Sequence, residues 1–227
     1  MCGRFALFAD PADIAAYFDL DTPGQLASLS PSYNVAPGQD VAAVVADEHG
    51  GRRYTVLRWG LVPFWAKDAK IGYRLINARS ETLAERPAFR EALRRRRCLI
   101  PANGFYEWRK AAGRRSQPFF VAPVGEPLIA FAGLWERWRN PAGELLESCT
   151  IVTTAANAVV APIHARMPVI VGRADQALWL DATSQPRFDE LLARAPELAR
   201  RTVGLAVNDP RHDGPELIEA VSEPAGG

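Results

Sequence analysis

The strongest constraint on the fold is a succession of short strand-like segments in the middle of the chain. They are rich in aromatic and aliphatic residues, and turns that carry glycine or proline separate them, such as Ala112–Arg114 and Asn140–Gly143. The segments are Cys98–Ile100, Phe105–Lys110, Pro118–Ala122, Leu128–Trp135 and Leu145–Thr153. This spacing predicts an antiparallel, barrel-like sheet.

The flanking sequence adds a hairpin and a few short helices. Val41–Ala46 and Tyr54–Trp59 flank a glycine-bearing turn at residues 48–51, which is typical of a β-hairpin. Asp10 and Pro11 favour a helix start, and the apolar face that follows carries Ile14, Tyr17 and Phe18. Further helices are expected at Pro87–Arg97, Asp175–Leu180 and Arg187–Leu198.

These patterns predict the α+β fold class. We expect a single domain with an antiparallel barrel-like β-sheet core and a few flanking helices over residues 1–220. Residues 221–227 are expected to form a flexible C-terminal tail. A chain of 227 residues is long enough to bury a substantial core in one such domain.

Several protein classes are disfavoured by composition. No run of 18 apolar residues is present, and the N-terminal segment lacks the features of a signal peptide. The three cysteines, Cys2, Cys98 and Cys149, form no disulfide framework, so a cytoplasmic location is expected. The three histidines share no zinc-like spacing with them, and we predict neither a metal nor a cofactor.

The positive charge is carried almost entirely by arginine. Lysine occurs only at positions 67, 70 and 110, although lysine and arginine together number 27. Arginine suits bidentate phosphate contacts and stacking on bases. A general bias toward arginine codons explains most of these residues equally well, but it does not explain which ones lie beside aromatic motif residues.

Cys2 offers two nucleophiles if Met1 is removed. The first residue would then carry a free α-amine with a pKa of about 8 and a thiol with a pKa of about 8.5. An amine attacks an aldehyde to give a Schiff base, and the adjacent thiol can then close a five-membered thiazolidine. The alternative is that Cys2 is a small buried residue at the start of a strand.

Three polar residues stand in apolar settings. Asn77 interrupts an apolar segment, Glu107 lies in an aromatic one, and His164 lies in a loop bounded by prolines. Burying an unpaired polar group costs about 1–3 kcal/mol, so each needs a partner, and a cap, a turn or a core hydrogen bond would suffice. Burial among aromatic rings would raise the pKa of Glu107, which suits a general acid at neutral pH.

Seven segments, taken in chain order, resemble the SOS response-associated peptidase (SRAP) family. They are Met1–Phe5, Tyr33–Pro37, Trp59–Ala66, Ile76–Thr82, Arg97–Trp108, Phe131–Glu136 and Ile163–Pro168. The resemblance covers roughly residues 2–210. It implies the SRAP fold over residues 1–220.

The resemblance implies a sensor that captures abasic sites in single-stranded DNA and shields the lesion. In the family, the processed N-terminal cysteine attacks the aldehyde form of the site and ends as a thiazolidine DNA–protein crosslink. The implied activity is lyase-like crosslinking, with self-processing peptidase activity that removes Met1. The family's catalytic positions fall on Cys2, Asn77, Glu107 and His164.

The resemblance also implies a set of DNA-binding residues. Arg4 and Arg79 would grip flanking phosphates, and Trp65 and Pro37 would pack on bases and hold the strand apart. The predicted set is completed by two residues from the matched segments, Asn34 and Arg166. Single-stranded DNA containing abasic sites is the expected partner, with nucleoid association when bound and no obligate protein partner.

The chain departs from the family pattern in two places. Ala165 stands where many relatives have aspartate directly after the motif histidine. If that aspartate orients the histidine or the neighbouring arginine, the acid step is expected to be slower here. Residues 207–214 match the family's closing segment only loosely, so DNA contacts from that end stay open.

Three other functions stay open. Class II glutamine amidotransferases also begin Met-Cys-Gly and use the cysteine as a nucleophile, but they have an apolar residue at the position of Arg4. A cysteine peptidase would pair Cys2 with His164. A non-catalytic reader of modified bases would use Asn77 and Glu107 to hydrogen-bond a flipped base.

Overall fold

A computed structural model describes residues 2–20, 30–47, 49–110, 116–184 and 187–222. The strands within these ranges are β1 Phe5–Leu7, β2 Ser32–Val35, β3 Asp40–Ala46, β4 Arg52–Trp59, β5 Asn77–Arg79, β6 Arg97–Ala102, β7 Gly104–Arg109, β8 Gln117–Pro123, β9 Ile129–Arg139, β10 Leu145–Ala155, β11 Arg166–Pro168, β12 Ile170–Val171 and β13 Leu198–Thr202. The α-helices are α1 Pro11–Tyr17, α2 Pro87–Arg95, α3 Gln176–Leu180 and α4 Phe188–Ala193.

The larger sheet closes on itself. Its strands follow the order β11-β10-β4-β3-β6-β9-β12, and β10 also pairs with β9, so β10, β4, β3, β6 and β9 form a five-stranded barrel. Strand β5 pairs with β10 outside this ring. The barrel-like core is therefore confirmed. Most pairings are antiparallel, as expected, but β10 pairs in parallel with both β4 and β5.

The second sheet packs on the barrel and carries the N-terminal strand. Its order is β13-β8-β7-β1-β2, so β1 lies between β2 and β7. The Phe5 ring of β1 lies 5.3 Å from the Trp59 ring and 5.7 Å from the Phe131 ring of the barrel strands. Through these aromatic contacts, Phe5 of the second sheet packs into the same hydrophobic core as the barrel strands.

Helix α1 is confirmed, whereas two predicted helices end earlier than expected. Helix α2 ends at Arg95, and Arg97 instead begins β6 with its side chain only 7% exposed. Helix α4 ends at Ala193, and Leu198 begins β13. After α2, Arg97 pairs with Leu134 of β9, so sheet pairing takes over from the helix. After α4, Pro196 cannot continue the helix.

Parts of the predicted turns and tail lie outside the described residues. These are Ala112–Arg114, position 48 of the hairpin turn, and residues 223–227 of the C-terminal tail. Just before the undescribed part of the tail, the main-chain N–H of Val221 donates to the carbonyl of Thr202 at 3.0 Å.

The described ranges contain neither a membrane-spanning helix nor a cluster of metal-binding side chains. None of the helices described is long and apolar enough to cross a membrane. No cluster of three or more histidine, cysteine, aspartate or glutamate side chains in those ranges could hold a metal ion.

Candidate active site

Strand register brings Cys2 beside Glu107. In the antiparallel pair of β1 and β7, Phe5 lies opposite Phe105, and the Tyr106 N–H donates to the Arg4 carbonyl at 3.0 Å. Moving from Phe5 toward Cys2 therefore means moving from Phe105 toward Glu107. Both side chains are buried, with Cys2 at 0% and Glu107 at 2% exposure.

Asn77 reaches the same place from the barrel. It begins β5, where it lies opposite Ile151 of β10. Its side-chain Nδ2 donates to the main-chain carbonyl of Cys2 at 2.7 Å. Its Oδ1 is buried and has no hydrogen-bond partner among the described residues. The amide thus fixes the main chain of Cys2 and keeps one acceptor for a donor close by.

His164 completes the cluster from the loop before β11. Strand β11 pairs with β10 so that Arg166 lies opposite Ala155, and the loop ahead of it carries the imidazole. His164 Nδ1 lies 3.9 Å from Glu107 Oε2 and accepts from the Arg166 main-chain N–H at 3.0 Å. The predicted catalytic residues therefore meet where the two sheets join.

Burial dominates the electrostatics of this cluster. It raises the pKa of the Cys2 thiol far above its usual value, and the nearby Glu107 carboxylate raises it further. Burial also raises the pKa of Glu107, while the positive charge of protonated His164 acts in the opposite direction. Near neutral pH the thiol is therefore held as S–H rather than thiolate.

Arg4 and Asn34 lie near the site and bind mainly to the chain itself. Arg4 Nη1 donates to Asn34 Oδ1 at 2.7 Å and to the Val207 carbonyl at 2.8 Å. Asn34 is 1% exposed, and its Nδ2 donates to the carbonyls of Asp209 and His212. With its amide engaged in this way, Asn34 holds Arg4 and the C-terminal segment in place.

That C-terminal segment is the loosely matching stretch of the sequence. Besides its contacts with Asn34, it reaches the strand of the predicted acid, because Trp108 Nε1 donates to Asn208 Oδ1 at 2.6 Å. The C-terminal segment therefore contacts both Asn34, which binds Arg4, and the strand that carries Glu107.

Arg79, Trp65 and Pro37 are more accessible. Arg79 is exposed, and its guanidinium forms no hydrogen bond or ion pair with any described residue. Trp65 is 49% exposed, and Pro37 is half-buried. These three side chains have surface available for a ligand, in contrast to Asn34.

Arg166 is partly buried, and an ion pair engages its guanidinium. Its Nη1 and Nη2 donate to the two carboxylate oxygens of Glu81 at 2.6 and 2.9 Å, and Nη2 also donates to the Thr153 carbonyl at 2.7 Å. Only 18% of the Arg166 side chain is exposed. The guanidinium predicted to bind DNA is thus already engaged by a carboxylate.

The loop that carries Trp65 has two close backbone supports. A side chain at Gly60 would place its Cβ 2.9 Å from the Gly72 carbonyl oxygen, and Gly60 adopts a φ of +128°, which favours glycine. Trp138 Nε1 donates to the Ala66 carbonyl at 2.6 Å. The loop is therefore fixed on both sides of the exposed tryptophan.

A cleft beside Trp65 is lined by residues that were not among the predicted site residues. It has a volume of about 560 Å³, and Phe64 lines it together with Arg90, Arg95 and Arg96. Phe64 is 56% exposed. In the sequence, these residues appear as an aromatic pair, Phe64 and Trp65, and a later run of arginines. Such a run is typical of an ordinary solvent-exposed helix face, so it gave no clear indication of a cleft.

Comparison with known proteins identifies the family. The family model described as SOS response associated peptidase (SRAP) matches residues 1–210. The chain belongs to the SRAP family. A Bacillus subtilis relative, abasic site processing protein YoqW, is 42% identical over 97% of this chain and 100% of its own length. The chicken protein HMCES, also named an abasic site processing protein, is 32% identical over 96% of this chain and 77% of its own length.

Solved structures agree with the SRAP fold. A protein from Bacteroides thetaiotaomicron superposes with a TM-score of 0.82 at 24% identity, covering 97% of this chain and 100% of that one. A protein from Bordetella bronchiseptica gives a TM-score of 0.74 at 26% identity, covering 90% and 100%. The SRAP architecture of this chain, a barrel with a second sheet, is thus shared with known structures.

Proposed function

We propose that this SRAP protein processes abasic sites in single-stranded DNA by forming a covalent thiazolidine crosslink through Cys2 after Met1 is removed. The names of its relatives support abasic-site processing. The observation that carries the proposal is the hydrogen bond from Asn77 to the Cys2 main chain, beside Glu107 and His164. This arrangement suits chemistry at the amino group of residue 2.

The amine acts first. In its aldehyde form the abasic sugar offers C1′, and the lone pair of the Cys2 amine attacks it to give a carbinolamine. The unpartnered Oδ1 of Asn77 is an acceptor that can orient this amine without adding charge. Loss of one water from the carbinolamine gives a protonated Schiff base.

The thiol acts second. A buried thiol with a raised pKa is a poor nucleophile until it can lose its proton, and the adjacent positive Schiff base favours that loss. Sulfur then bonds to C1′, the C=N double bond becomes a single bond, and the ring closes. The net reaction joins aldehyde and cysteine and releases one water.

Glu107 and His164 divide the proton transfers. Glu107, with its raised pKa, gives a proton to the departing hydroxyl of the carbinolamine and takes the thiol proton at ring closure. His164 protonates the sugar ring oxygen as the closed form opens to the aldehyde. The imidazole lies 3.9 Å from the Glu107 carboxylate, close enough for its positive charge to oppose the raised pKa of Glu107.

DNA binding follows from the accessible groups. Arg79 offers a phosphate a guanidinium that pairs with none of the described residues, and Trp65 offers a face for base stacking beside the half-buried Pro37. Arg4 contributes positive charge from a more enclosed position. We place this activity in the cytoplasm, with nucleoid association on damaged DNA.

The raised thiol pKa favours this mechanism over a peptidase that begins with a thiolate. Any peptidase activity is proposed to be limited to release of Met1, and an aminopeptidase would serve equally well.

The test is denaturing electrophoresis after mixing the protein with uracil-containing single-stranded DNA treated with uracil-DNA glycosylase. The expected result is a shifted band that survives denaturant and is absent with untreated DNA. Intact mass should equal that of DNA plus protein without Met1, less one water. A band that forms with untreated DNA, or no stable band, would refute the proposal.

A further inference from the structure

A charged pair next to the active site has no part in the mechanism above. Glu81 lies in a 3-10 turn at Ser80–Thr82, directly after β5 and its Asn77. Its carboxylate binds the Arg166 guanidinium in a bidentate pair, at 2.6 and 2.9 Å. These bonds hold the pKa of Glu81 at about 2, so the carboxylate is ionised throughout the physiological range.

Arg166 connects this pair to His164. The Arg166 main-chain N–H donates to His164 Nδ1 at 3.0 Å, and its carbonyl oxygen lies at 3.0 Å from the same nitrogen. The neutral ring can accept from the N–H, and the protonated ring can donate to the carbonyl. One residue therefore has a main-chain partner for the imidazole in either protonation state.

The side chain of Arg166 anchors that main chain at the start of β11. The guanidinium spans from Glu81 to the carbonyl of Thr153 in β10. Arg166 Nε is buried without a hydrogen-bond partner among the described residues. Only 18% of the Arg166 side chain is exposed, so its guanidinium is partly desolvated and loses charge compensation if the Glu81 carboxylate is removed.

We propose that Glu81 is a positioning residue for His164, acting through Arg166. The carboxylate fixes the guanidinium, the guanidinium fixes the beginning of β11, and the main chain there fixes Nδ1 of the imidazole. This directs the other ring nitrogen, Nε2, toward the sugar oxygen. The catalytic role of His164 rests on the proposed function. The contacts that run from Glu81 through Arg166 to His164 are present in the protein without DNA.

The rival explanation is that Glu81 merely occupies Arg166 until a DNA phosphate displaces it. Removing the Glu81 carboxylate would then leave the Arg166 guanidinium available to DNA phosphates, so the affinity for DNA would rise. The positioning proposal predicts instead that DNA affinity is nearly unchanged and that the histidine ring changes its environment.

The experiment compares Glu81→Gln with Glu85→Gln. Glu85 is an exposed acid four residues further along, so the control removes the same charge without touching Arg166. The chain has three histidines, so ring ¹⁵N spectra of histidine-labelled protein give three assignable spin systems. We expect the His164 ring signals to shift or broaden in Glu81→Gln alone, with His49 and His212 unchanged.

Kinetics provide the second readout. Single-turnover capture of a closed-ring abasic site should slow by up to about 100-fold in Glu81→Gln, the usual cost of a misplaced group. Capture of an abasic analogue locked as an open aldehyde should change less than threefold. Because the effect passes through Arg166, the double variant Glu81→Gln/Arg166→Gln should be no slower than Arg166→Gln alone.

Unchanged His164 signals in Glu81→Gln, equal losses on both substrates, or tighter DNA binding with a steeper salt dependence would each overturn the proposal. If the wild type forms no crosslink, the proposed function fails, and the ring spectra still decide whether Glu81 positions His164.

Discussion

Arg97 and Glu107 are both charged residues inside the protein, yet their surroundings differ completely. Arg97 is 7% exposed and Glu107 is 2% exposed. The Arg97 guanidinium donates five hydrogen bonds, to the carbonyls of Leu93, Trp179, Asp181 and Ser184 and to the Ser184 hydroxyl. It also lies 5.4 Å from the centre of the Trp179 ring.

Glu107 instead faces groups that can change their protonation. His164 Nδ1 lies 3.9 Å from its carboxylate, and the buried Cys2 thiol lies close enough for Glu107 to raise its pKa. Fixed neutral partners make a buried charge structural, whereas titratable partners make it responsive. The two residues therefore provide a contrast that mutations can test.

The largest effect is expected at Cys2. Cys2→Ala removes the thiol that closes the ring, so the crosslink that survives denaturant should disappear. Cys2→Ser keeps the amine and should give only a labile adduct. Cys149→Ala is the matched control, since Cys149 is equally buried but its nitrogen is an internal amide and cannot form a Schiff base. A normal crosslink from Cys2→Ala, measured by denaturing electrophoresis, would rule out this mechanism.

The second prediction applies the contrast directly. Glu107→Gln keeps the shape but loses the transferable proton, so single-turnover crosslinking should slow by about 10²–10⁴-fold with little change in melting temperature.

Arg97→Gln should instead lower the melting temperature and leave the crosslinking rate unchanged. It leaves buried carbonyls without donors, at about 1–3 kcal/mol each, so stability falls while the rate per folded molecule is retained. A rate loss in Arg97→Gln without destabilisation would contradict the contrast.

The pH dependence follows from the same burial. Because the pKa of Glu107 is raised, its carboxyl keeps its proton to a higher pH than an ordinary glutamate does. The wild-type rate should therefore fall as pH rises through that pKa, and Glu107→Gln should lack this fall. The decline at low pH, where the Cys2 amine becomes protonated, should persist in both proteins.

The third prediction concerns His164. His164→Asn should slow the capture of a closed-ring abasic site by about 100-fold, because ring opening loses its acid. An open aldehyde substrate should be captured at nearly the wild-type rate. Equal losses on the two substrates would show that His164 shares the role of Glu107 rather than acting on the sugar.

The smallest effect is expected at Arg79, an exposed counterpart of Arg97. Arg79→Ala should leave stability unchanged, weaken binding to single-stranded DNA severalfold, and reduce the salt slope by about 0.7 for the lost phosphate contact. Arg187→Ala is the control, because Arg187 is an exposed arginine that already pairs with Asp189. Fluorescence anisotropy over a salt series measures both variants, and identical slopes would exclude Arg79 from the DNA site.

Local sequence patterns were enough for the longer elements. The barrel strands β3, β4, β6, β9 and β10 and helix α1 all fall where alternation, turn residues and caps predicted them. The short strands β5 and β11 were not predicted, because three residues carry too little periodicity. These strands nevertheless position Asn77 and His164.

The sequence by itself determined the chemical groups of the candidate site: a cysteine at position 2, an amide, a carboxyl and an imidazole in apolar settings. Only the tertiary structure decided that they meet, since register between β1 and β7 and between β10, β5 and β11 joins residues far apart in the chain. It also decided that Asn34 is buried, that Arg166 is partly buried and pairs with Glu81, and that Arg97 donates to main-chain carbonyls. Such outcomes depend on which partners surround a polar side chain, and no local pattern of residues encodes those partners.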